Sequence, residues 1–65
     1  MVRFNRLSQS GNIFKILADA DRELRREHKV EESLEMLRRV LDSTDYDVAL
    51  DIIREYVELE EVDDW

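Results

Sequence analysis

The breadth of the apolar helix faces constrains this chain most. Wound as a helix from about Asp45 to Leu59, the C-terminal segment confines Asp47, Asp51, Arg54, Glu55 and Glu58 to about 100° of arc. Tyr46, Val48, Ala49, Leu50, Ile52, Ile53, Tyr56, Val57 and Leu59 fill about 200°. A helix docking on one surface needs only about 100° of apolar arc. The segment from Val30 to Asp42 is nearly as broad. Val30, Leu34, Met36, Leu37, Val40 and Leu41 span about 160°, with Glu31, Glu32, Glu35, Arg38, Arg39 and Asp42 opposite. Either the last helix is touched on two sides, or part of these faces meets another chain.

A first helix is expected after Ser10 or Asn12, both good N-caps. Ile13, Ile16, Leu17, Ala20 and Leu24 form an ordinary one-sided stripe, from which Phe14 lies apart. Continuing that stripe would require apolar residues at Glu27 and Glu31. The next apolar row starts instead at Val30, out of phase, which places a bend at Arg26-Glu27-His28-Lys29 although no Gly or Pro marks it. Between the second and third helices lies Ser43-Thr44-Asp45, where Thr44 and Asp47 have the spacing of a capping box. Glu35 and Arg39 are expected to pair at i,i+4.

The rest of the composition narrows the fold class. With no Pro, no Cys and the single glycine Gly11, hairpin turns, disulfide scaffolds and thiolate zinc sites are all disfavoured. The expected fold is all-α: three short helices over residues 12–59, the last two an antiparallel hairpin. They are preceded by an N-terminal arm (1–11) and followed by an acidic tail (60–65). Val2, Phe4 and Leu7 are apolar pegs by which the arm can lie over the core. No apolar run exceeds Ile16-Leu17-Ala18, so no membrane span is expected, and the lack of Cys suits the cytoplasm.

Charge bears on partners. There are 17 acidic and 10 basic residues, a formal net charge of -7, which repels nucleic acid and anionic membranes. A core built from only 65 residues is marginal, and without disulfide or metal the expected support is a partner. The expected interface, with a second copy or another protein, is Leu34, Leu37, Leu41, Leu50, Ile53 and Val57. Asp47, Asp51, Glu55, Glu58, Glu60, Glu61, Asp63, Asp64 and Trp65 form a candidate acidic surface for a basic partner.

Chemistry-bearing constellations are poor. His28 is the only imidazole and no nucleophile motif surrounds Ser8, Ser10, Ser33 or Ser43. Asp42, Asp45 and Asp47 bracket a turn and Asp51 follows one helical turn later, but they lack EF-hand spacing, and helix capping and the helix dipole account for them. No catalytic residue, metal site or cofactor is expected. Arg22, Arg25, Arg26 and Lys29 share one face of the first helix and form a possible basic patch for phosphates, flanked by Asp19 and Glu23. The sequence therefore reads as a small acidic protein-binding module or regulator, expected to be a homodimer. The alternatives are an acidic inhibitor that imitates nucleic acid and a nucleic-acid binder using the Arg-rich face.

Overall fold

Asn12 starts the first helix as expected: its side chain accepts from the Phe14 N–H at 2.8 Å, and α1 runs Ile13–Arg26. The computed structural model describes residues 1–63. The other helices are α2 (Val30–Asp42) and α3 (Tyr46–Arg54), and a 3-10 turn (Gln9–Gly11) precedes α1. The molecule is mostly helical but not purely all-α. A strand near each end, β1 (Val2–Phe4) and β2 (Leu59–Glu61), forms a two-stranded parallel sheet. Val2 pairs with Leu59, Arg3 with Glu60 and Phe4 with Glu61. Among the described residues no helix is long and apolar enough to cross a membrane.

Two helix ends depend on backbone details. At the bend after α1, Lys29 N–H reaches the Leu24 carbonyl at 2.8 Å and His28 N–H the Arg25 carbonyl at 3.0 Å. That is a Schellman cap, and it forces a left-handed residue at His28, where φ is 63°. At the start of α3 the cap is Asp45, not Thr44: the Asp45 carboxylate accepts from Asp47 N–H at 2.8 Å and Val48 N–H at 3.1 Å.

Helix α3 is shorter than the apolar pattern suggests, ending at Arg54. Tyr56 and Val57 lie in the following turn and Leu59 in β2, yet the arc of about 200° remains without them, because Val48 and Leu50 within α3 mark its two edges. α1 contacts α2, α3 and β1, and α3 packs against both α1 and α2. The core joins Val2 and Phe4 of β1 to Ile16, Leu17, Ala20 and Leu24 of α1, Met36 and Val40 of α2, and Ala49, Leu50 and Ile53 of α3. The segment read as an arm thus places two pegs in the core, while Leu7 is almost fully exposed.

Candidate functional site

Helix α2 has two apolar faces, and the core uses one. Ser33, Met36 and Val40 are buried against the rest of the molecule. Val30, Leu34, Leu37 and Leu41 lie on the adjoining face at the 4-3-4 spacing of a coiled-coil seam, within about 60° of arc. Leu37 is half-buried against the core. Val30, Leu34 and Leu41 are 42%, 53% and 65% exposed. The stripe is continuous with a groove of about 290 Å³ where the C-terminal end of α2 meets the start of α1. Leu41, Phe14, Ile13, Tyr46 and Ala49 line the groove, and Phe14 is 66% exposed.

Two pins fix the rotation of α2 that leaves this face outward. The Ser33 hydroxyl donates to Asp21 of α1, which also accepts from Arg25 Nε at 2.8 Å. The Asp21 carboxyl is held below the usual carboxylate range, first by the Ser33 hydroxyl and then by Arg25. At the other edge the Arg39 guanidinium grips both Glu55 oxygens, at 2.8 and 2.9 Å, and donates to Tyr56 Oη at 3.0 Å. Tyr56 in turn donates to Glu35. The expected Glu35–Arg39 ion pair is therefore replaced by a link through Tyr56. These contacts lower Glu55, raise Arg39 and raise the Tyr56 phenol, the last chiefly through its bond to Glu35.

Of the expected interface residues, Leu34 and Leu41 are exposed and Leu37 is half-buried. Leu50 and Ile53 are not available to a partner. They are the inner face of α3 and wholly buried within the single chain. Val57 is half-buried in the turn beyond α3. Sequence reasoning assigned no role to Phe14, whose signal was its position off the α1 stripe. Val48 is also half-exposed on α3.

The acidic residues do not form one open array. Asp47 and Glu61 converge on Arg6, at 2.9 and 3.1 Å, whose guanidinium lies 5.1 Å from the centre of the Tyr46 ring. Arg6 is raised, most by Glu61, and the Tyr46 phenol is raised by burial while its hydroxyl donates to the Gly11 carbonyl. Glu60 pairs with Arg3 at 2.9 Å and Asp51 with Arg54 at 3.2 Å. Glu58 and Asp63 are exposed and make no ion pair among the described residues. Asp64 and Trp65 lie outside the described residues.

The Arg-rich face is largely self-neutralised. Arg22 pairs with Asp19, Arg25 with Asp21 and Lys29 with Glu27. Arg26 makes no ion pair among the described residues and borders a polar cleft with Arg3, Arg22, Asp19 and Glu23. His28 is exposed on the bend. Among the described residues no three acidic or His side chains cluster as a metal cage. No family model, no curated protein and no solved structure matches the chain.

Proposed function

We propose that this protein is a small, non-enzymatic protein-binding module that associates with a second copy of itself through the outer face of α2. The carrying observation is the Val30-Leu34-Leu37-Leu41 stripe, left largely uncovered by its own chain and continued by Phe14. α2 and α3 act in this reading as the antiparallel hairpin that displays it, in a reducing compartment such as the cytoplasm.

Charge selects a second copy as the occupant. Glu31 and Arg38 sit one heptad apart on the flank of the stripe away from Ser33, Met36 and Val40. Neither has an intramolecular ion-pair partner among the described residues. An antiparallel pairing of two α2 helices sets Glu31 of each copy beside Arg38 of the other. Covering the exposed half of each seam leucine contributes about 1 kcal/mol.

Imitation of nucleic acid has less support, because Asp47, Asp51, Glu55, Glu60 and Glu61 are engaged by the chain's own arginines. Nucleic-acid binding through Arg22, Arg25, Arg26 and Lys29 is weakened by the same local pairing.

The test is solution mass by light scattering or sedimentation from roughly micromolar to millimolar chain. The mass should double across that range. Leu34→Lys with Leu41→Lys should keep the helical circular dichroism and remain monomeric throughout. A wild type that stays monomeric, or a double variant that dimerises as well as wild type, overturns the proposal.

A further inference from the structure

The sheet that joins the two ends of the chain has an open side. In the parallel register, Val2 N–H bonds to the Glu58 carbonyl at 2.9 Å and Val62 N–H to the Phe4 carbonyl at 2.9 Å. Parallel strands use alternate residues for such bonds. On β2, Glu60 therefore turns its N–H and carbonyl towards β1, and Leu59 and Glu61 turn theirs the opposite way. Neither Leu59 nor Glu61 has a backbone hydrogen bond outside the sheet among the described residues. The far side of β1 runs beside α1, sharing a cleft with Asp19, Arg22 and Glu23. β2 is the strand whose outer edge is left as a template for another.

We propose that the outer edge of β2 takes an extended basic segment of a partner protein as a third strand. Two observations select that chemistry. Residues 58–63 carry Glu58, Glu60, Glu61 and Asp63. Arg3 and Arg6 approach Glu60 and Glu61, whereas Glu58 and Asp63 have no cation among the described residues. The β2 strand of a second copy would set acid against acid, which is unfavourable between neighbouring strands. In addition, a groove of about 490 Å³ bordered by Arg54, Glu55, Tyr56, Val57, Glu58 and Leu59 opens at the start of the strand, with Arg54 already paired to Asp51. An incoming strand of alternating basic and apolar residues places its cations beside Glu58 and Glu60. Its apolar side chains then lie on the opposite face, beside Leu59. This site is on a different element from the α2 face and does not depend on self-association.

The probe is a six-residue end-capped peptide of alternating Lys and Val, titrated into 15N-labelled protein at low salt. Binding should shift the Leu59 and Glu61 amide signals and slow their hydrogen exchange. Two versions of the peptide, N-methylated on one or the other alternate set of backbone nitrogens, keep the charge but differ in which edge can bond. One set should weaken binding at least tenfold and the other hardly at all. Glu58→Lys with Asp63→Lys should weaken binding of the parent peptide at least tenfold, and the Leu34→Lys, Leu41→Lys double variant should bind like wild type. Equal binding by both methylated peptides, signal changes that spare Leu59 and Glu61, or no binding at all would overturn the proposal.

Discussion

Ser33 on α2 is fully buried, and its hydroxyl donates to the Asp21 carboxylate on α1. It is the one buried polar side chain in the described core, and it tethers the two helices whose mutual rotation decides which face of α2 stays open.

Loss of that hydroxyl should show in the acid limb of stability. The Asp21 carboxyl is depressed in the folded state by Ser33 and Arg25. A depressed carboxyl adds stability above its unfolded value, about 4, and that contribution is lost as pH falls through the lower folded value. Ser33→Ala should cost about 1 kcal/mol near neutral pH. The difference from wild type should shrink in acid, as pH falls through the lowered folded value and Asp21 protonates in both chains. Urea unfolding at the two pH values measures it, and an undiminished gap in acid would show that the hydroxyl acts through packing alone.

The bend between α1 and α2 holds a non-glycine residue at positive φ, His28 at 63°. Glycine carries no side-chain penalty there. His28→Gly should therefore stabilise the fold by about 0.5–1 kcal/mol and raise Tm by about 3–6 °C. His28→Val, β-branched at the same position, should lower it. Thermal melts of the pair give opposite signs if the Schellman cap is maintained in solution.

Gly11 is needed for closeness rather than for φ. A Cβ there would lie 2.4 Å from the Asn5 carbonyl oxygen and 2.7 Å from Arg6 Cα, both backbone atoms that cannot swing aside. Gly11→Ala should cost about 2 kcal/mol. It should also disturb the neighbouring Tyr46 Oη–Gly11 bond and the Arg6 contacts to Asp47 and Glu61. The Tyr46 phenol is raised by burial in the native loop. A spectrophotometric titration in which Gly11→Ala leaves Tyr46 unchanged would show that the loop absorbs the methyl without opening.

The helical part of the fold was legible where apolar spacing carried it. The bend at Arg26–Lys29 shows as a phase slip between Leu24 and Val30, and α1 ends at Arg26. The two strands were not legible, because Val2-Arg3-Phe4 is too short for an alternating pattern and its partner lies near the other end of the chain. Tyr56, Val57 and Leu59 extend the helical period past Arg54 while serving a turn and a strand, which made α3 read longer than it is. For the candidate site, the excess of apolar surface was readable but its location was only partly so. Leu34 and Leu41 are outside and Leu50 and Ile53 are inside. The orientation of α2 follows from Ser33 and Arg39, whose partners, Asp21 and Glu55, belong to other helices' ends and faces and leave no trace in local periodicity.

The pairing of Val2 with Leu59 also orders events in time. Contacts among successive helices need only short stretches of chain to meet, whereas the sheet must close a loop comprising nearly the whole polypeptide, a slow entropic search. Phe4 can therefore complete the interior only late, after the helices have gathered. On heating, the same seam is where the molecule should begin to come apart, unzipping its ends while the three rods still hold together.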